Sequence, residues 1–115
     1  MPPAIIELPT DVSLALEYVN AHLADNLTIT TIAKAANVSV NTLERHFRDT
    51  LRITPTEFIK RKRLSMAAEL LKAGYSVLEA GLESGFCDSS HFILLFRKNF
   101  GITPFKYQKQ FKPKN

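Results

Sequence analysis

In the stretch "SVNTLERHFRDTL", Asn41, Glu44, Arg45 and Arg48 recur at three- and four-residue intervals. On a helix such spacing gathers side chains on one face. Leu43, Phe47 and Leu51 fall opposite, at four-residue steps. Asn can make paired hydrogen bonds to adenine and Arg to guanine, so the polar face has the chemistry to read base edges. Glu44 has two readings: it can accept from a cytosine amino group, or it can orient Arg45 or Arg48. A second stretch, "SSHFILLFRKNF", repeats the plan with different contents. Outside its Phe stripe it offers Ser89, Ser90, His91, Ile93, Leu94, Arg97 and Lys98. Ile93 and Leu94 can pack on thymine methyl groups. With Leu95 they can equally form an apolar patch for a protein neighbour. Arg48, Arg97, Lys98 and Lys106 are candidates for phosphate contact. So are Lys60, Arg61 and Arg63 of the "KRKR" run, although four consecutive helical residues point several ways and some would be solvated or lie over the core.

Other chemistries find less support. Cys87 and His91 are four apart, but His22 and His46 lie on other segments, and a metal site needs more ligands than one such pair. The four glycines are scattered and form no phosphate-binding loop. No spacing singles out a nucleophile with its base. The reading is therefore of a binding protein, with no catalytic residue, cofactor or metal.

The chain has 115 residues, enough for one compact domain or two very small lobes. No run of about 18 apolar residues occurs, so no membrane span is expected. "MPPAIIELPT" lacks the pattern of a signal peptide, and residues 1–9 read as a linker or the cut end of a longer chain. The single Cys87 excludes an internal disulfide and fits a reducing cytoplasm. Net charge is +4, unevenly spread: residues 1–33 have no Lys or Arg, and residues 34–115 hold all 15. A basic segment of this kind suits a polyanion. Lys112 and Lys114 at the very end read as a solvated tail.

Helical spacing with clear punctuation runs through the chain and predicts an all-α fold of seven helices. The first is expected over 11–24, capped by Thr10, with Val12, Leu16, Val19 and Leu23 on its inner face. A short helix over 29–36 stops at Asn37. Ser39 caps a helix over 40–51. Thr54, Pro55 and Glu57 open a long helix over 55–73, ended by Gly74. Ser76 and Glu79 open a short helix that stops at Gly85. Ser89 or Asp88 caps a helix over 89–100, with Phe92, Phe96 and Phe100 inward and Gly101 as its stop. Thr103 and Pro104 start the last, over 104–111.

The chain also resembles itself. At an offset of 48, Thr28 meets Ser76 and Asn37 meets Gly85; at 49, Leu43 meets Phe92, Phe47 meets Phe96 and Phe58 meets Tyr107. The same offset pairs Ile53-Thr54-Pro55 with Ile102-Thr103-Pro104. Each unit is a short helix, a tight turn and a longer helix, the helix-turn-helix plan whose second helix can enter a DNA major groove. The expected organisation is a first lobe over 10–54, a connecting helix over 55–73 and a second lobe with a basic tail over 74–115. The connecting helix would be roughly 28 Å long at 1.5 Å per residue. Two units on a rod of that length can read adjacent grooves, about 34 Å apart. Helical repeats also serve as scaffolds for protein partners, and that alternative would use the Ile93, Leu94 and Leu95 surface.

"GFCDSSHFILLFRKNFGITPFKYQKQF" and "IAKAANVSVNTLERHF" together resemble the DNA-binding domain of the AraC/XylS family of bacterial transcription regulators, over about residues 10–111. The resemblance implies a monomeric module that binds double-stranded DNA, in the bacterial cytoplasm on the nucleoid. In an activator, RNA polymerase would be a second partner. It further implies that an N-terminal sensing or dimerisation domain can belong to the full-length protein, which would then be dimeric. By the same resemblance, Asn41, Glu44 and Arg45 fall on base-contact positions. Ile93 and Leu94 depart from the family's pattern, in which polar and arginine side chains are usual.

Overall fold

The structure, a computed structural model, describes residues 7–111. Lys112 and Lys114, and most of the expected leading linker, lie outside the described residues. Among the described residues seven helices occur in order: α1 (Thr10–Ala21), α2 (Ile29–Ala35), α3 (Val40–Leu51), α4 (Pro55–Lys72), α5 (Val77–Glu83), α6 (Ser89–Phe100) and α7 (Pro104–Lys109). No strand is present among the described residues. Packing divides the chain into two units. The first comprises the chain up to His22 together with Leu27–Phe58, and the second comprises Leu23–Asn26 and the chain from Ile59 onward.

In the first unit, Thr28 and Ser39 cap α2 and α3 by accepting from Thr31 N–H and Thr42 N–H. Asn37 takes the left-handed turn between them at φ 61°. Val12, Ala15 and Val19 of α1, Ile32, Ala33 and Ala36, and Leu43 and Phe47 of α3 are buried. Phe58, in the first turn of α4, meets Phe47 edge-on with ring centroids 5.8 Å apart.

The second unit repeats this construction. Ser76 and Glu79 form a capping box at the start of α5, and Thr103 Oγ1 caps α7 by accepting from Lys106 N–H. Tyr107 meets Phe96 edge-on at 5.3 Å, the same pairing as Phe58 with Phe47. The repeated Ile-Thr-Pro therefore has one structural task in both units. It follows the left-handed residue that ends the preceding helix, Arg52 or Gly101, and starts a helix whose aromatic ring meets the longer helix of the pair. Leu64, Ala67, Ala68 and Leu71 of α4 belong to the second unit's core, beside Phe86, Phe92 and Phe96. The long helix is thus largely a packed member of the second unit and not a bare spacer.

Local expectations change at α1 and at Phe100, and the alternative caps of α6 are resolved. α1 begins at Thr10 and ends at Ala21, three residues short of the expected 24. Thr10 is its first helical residue and Pro9 holds the cap position without a side-chain bond. Leu23 instead lies in the following turn, where Arg63 takes its carbonyl at 3.0 Å. Asp88, not Ser89, caps α6, its Oδ1 accepting from Ser90 and His91 N–H. Phe100 is 36% exposed, so the inward stripe ends at Phe96. Tyr107 already fills the inner side of Phe96, and Phe100 leans on both rings from outside.

Ser84 is fully buried and its Oγ has no hydrogen-bond partner. Its counterpart in the first unit, 48 residues earlier, is the buried Ala36. A buried unpaired hydroxyl carries a desolvation cost of about 1–3 kcal/mol. Ser84→Ala is expected to raise stability by about 1 kcal/mol, read as a higher urea midpoint at constant slope. A lower midpoint would show that the hydroxyl is bonded in solution.

Candidate nucleic-acid interface

Each unit presents its longer helix with a buried and an open face. On α3, Leu43 and Phe47 are buried, while Asn41, Arg45 and Arg48 are exposed and Glu44 is half-buried. Arg52, just past the helix end, adopts φ 63° and carries its charge beside the last turn. The sequence did not mark it, because an arginine in a left-handed helix end has no distinctive local signal. The open face of α3 carries two guanidinium groups and one amide, with the half-buried Glu44 among them, the chemistry that base edges and phosphates accept.

The second unit differs in the way the repeat defines. Adding 49 to Asn41, Glu44, Arg45 and Arg48 gives Ser90, Ile93, Leu94 and Arg97. Ile93 is half-buried and packs against the core, as Glu44 is half-buried in the first unit. Leu94 is 61% exposed at the position equivalent to Arg45. Leu95 also packs against the core. The expected patch of Ile93, Leu94 and Leu95 is therefore corrected to Leu94 alone. The other two turn inward because α6 needs its Phe stripe flanked on both sides. Ser89, Ser90, His91, Arg97 and Lys98 are exposed around Leu94. Arg97 and Lys98 lie in the last turn of α6, where positive charge complements the helix dipole.

The basic run on α4 separates by role. Arg63 is a structural residue. Its Nε donates to Leu23 O at 3.0 Å and its Nη2 to Asp25 O at 2.7 Å. Desolvation pulls its guanidinium below the ordinary value, against an opposing influence from Cys87, yet an arginine keeps its charge. Arg63 thus spends two of its five N–H donors on backbone carbonyls, a structural task beside the phosphate contact expected of it. Arg61 is exposed and Lys60 half-exposed on the same helix. Lys106 is exposed in the first turn of α7. No cluster of three or more His, Cys, Asp or Glu able to hold a metal occurs among the described residues. No helix among them is long and apolar enough to cross a membrane.

Comparison with known proteins places this geometry. A family described as a helix-turn-helix domain matches residues 32–110. The chain is 33% identical over 93 residues to the HTH-type transcriptional activator RhaS of Escherichia coli O139:H28, an alignment covering 80% of this chain and 34% of that protein. The chain thus spans about a third of the length of the curated relatives it matches. Among solved structures, an AraC-type DNA-binding-domain-containing transcriptional regulator from Chromobacterium violaceum superposes with a TM-score of 0.83 at 29% identity, covering 91% of this chain and 95% of that one. The DNA-binding domain of AdpA, a global transcriptional factor solved in complex with a target DNA, also gives 0.83, at 25% identity, covering 90% and 94%.

Proposed function

The chain belongs to the AraC/XylS family of helix-turn-helix transcription regulators, and from that membership we propose that it is a sequence-specific DNA-binding module with one recognition helix per lobe, α3 and α6, docking in a major groove. The observation that carries the reading is the face of α3, where Asn41, Arg45 and Arg48 stand exposed over a fully buried Leu43 and Phe47. Asn41, Arg45 and the half-buried Glu44 would meet base edges in the first lobe. Ser89, Ser90, His91 and Leu94 would do so in the second, with Leu94 against a thymine methyl group. Ile93, packed on the core, supports that surface from beneath. Arg48, Lys60, Arg61, Arg97, Lys98 and Lys106 would neutralise phosphates. The module acts by binding and not by catalysis, as a monomer, in the cytoplasm on nucleoid DNA. Its likeness to a named activator supports RNA polymerase as a second partner.

Selection of bound sites from random DNA at two salt concentrations tests this. Two blocks of preferred sequence are expected, one per lobe, with affinity falling steeply as salt rises. Absence of any preferred sequence would overturn the reading. Arg45→Ala is expected to cost about 1–3 kcal/mol on the selected site and to relax choice at one or two positions. Leu94→Ala should cost less, because a methyl contact is weaker than a bidentate pair, and should relax choice only at a thymine. If Leu94→Ala instead leaves DNA binding intact and abolishes binding to a protein partner, the scaffold alternative replaces the DNA reading for the second lobe.

A further inference from the structure

The first recognition helix is held by a polar contact from outside the helix-turn-helix pair. Asp11, in the first turn of α1, is 8% exposed. Its Oδ1 accepts from Val12 N–H at 3.0 Å, and its Oδ2 lies 2.6 Å from Nδ1 of His46 on α3. A carboxylate only accepts, so Nδ1 is the donor. Both oxygens are engaged, which is what allows the group to stay buried. Leu43 and Phe47 press α3 onto the core through non-directional contacts that tolerate a small rotation about the helix axis. The His46 hydrogen bond is directional and does not. His46 directly follows Arg45 and lies two residues from Glu44 and from Arg48, so rotation at His46 swings the whole reading face. In the second unit the equivalent of His46 is Leu95, an apolar residue packed on the core.

We infer that Asp11 and His46 are positioning residues for base reading by the first lobe: their bond fixes the rotation of α3 and hence the aim of Asn41 and Arg45. The inference rests on the DNA-reading function proposed above. The test measures the affinity ratio between the selected site and variants carrying one changed base in either block. His46→Leu is expected to reduce the ratio about tenfold for the first-lobe block, the scale of one base mismatch. It should leave the second-lobe ratio and the salt dependence unchanged. His46→Asn, whose amide nitrogen stands near the place of Nδ1, should restore most of the loss. Equal losses in both blocks, or an unchanged first-lobe ratio in a folded His46→Leu protein, would overturn the inference. Should His46→Leu not fold, Asp11→Ala, which removes both acceptors of the bond, carries the same expectation, and an unchanged ratio there is equally decisive. Failure of the unaltered protein to select any site would instead overturn the DNA reading itself, and this inference with it.

Discussion

Gly85→Ala should destabilise the second unit by about 4 kcal/mol, a sum of backbone strain and a lost charged hydrogen bond. Gly85 ends the turn after α5 at φ 96°, a conformation that side-chain-bearing residues rarely adopt. A Cβ there would stand 2.7 Å from Leu23 O and 2.7 Å from Arg63 Nε. The first of these is backbone and cannot swing aside. The second is the guanidinium that holds Leu23 O and Asp25 O, so relief of the clash breaks that clamp. Gly74→Ala is the control: its φ is 100°, but nothing lies within 4 Å of the added carbon. It should cost only the strain, about 1–3 kcal/mol. The excess of Gly85→Ala over Gly74→Ala, read from urea unfolding, measures the close approach. Hydrogen exchange should show α5 and α6 losing protection while α2 and α3 keep theirs. Equal costs for the two variants would show that the Leu23 turn moves freely with the glycine.

The comparison between units explains what the sequence could and could not disclose. Asn37 holds the place of Gly85 in the first unit at φ 61°, near the centre of the left-handed region where Asn is tolerated. Helix stops of this kind, and the caps at Ser39, Ser76 and Thr103, are local events written in adjacent residues, so they were legible. The core face of α3, Leu43 and Phe47, followed from helical period for the same reason. The Arg63 clamp on Leu23 and the Asp11–His46 bond join residues 40 and 35 apart, and nothing near either partner in the sequence announces the other. For that reason the structural task of Arg63 is not visible in its basic run. The inward turn of Ile93 and Leu95 was hidden differently. Three consecutive apolar residues beside a Phe stripe leave open which of them flank the core, and only packing against the second unit's core decides it. Base-contact candidates on α3 were legible because polar and apolar residues there separate cleanly by face.

The contact of α5 on α6 should show a sign reversal in a double-mutant cycle. Gly81 lies inside α5, where a glycine costs about 1 kcal/mol relative to alanine. Yet a Cβ at Gly81 would stand 2.8 Å from Cδ2 of Phe92. That ring is 1% exposed and wedged beside Phe86 and Phe96, at centroid distances of 5.0 and 5.8 Å. It has no room to withdraw. Gly81→Ala should therefore destabilise the protein by about 1–3 kcal/mol through overpacking, despite the better helix former. The first unit shows the complementary solution. The positions equivalent to Gly81 and Phe92 are Ala33 and Leu43, both buried, with the smaller core residue accompanying the larger helix residue. In a Phe92→Leu background, Gly81→Ala should accordingly become favourable by up to about 1 kcal/mol, the helix propensity now unopposed. The coupling energy expected from unfolding midpoints is about 2–3 kcal/mol, at the upper end for directly contacting residues. Additive effects would mean that α6 shifts to make room for the methyl group. In that case α6 would be less firmly seated than Phe92 implies, and the base discrimination proposed for Leu94 should fall in the Gly81→Ala protein even where it remains folded.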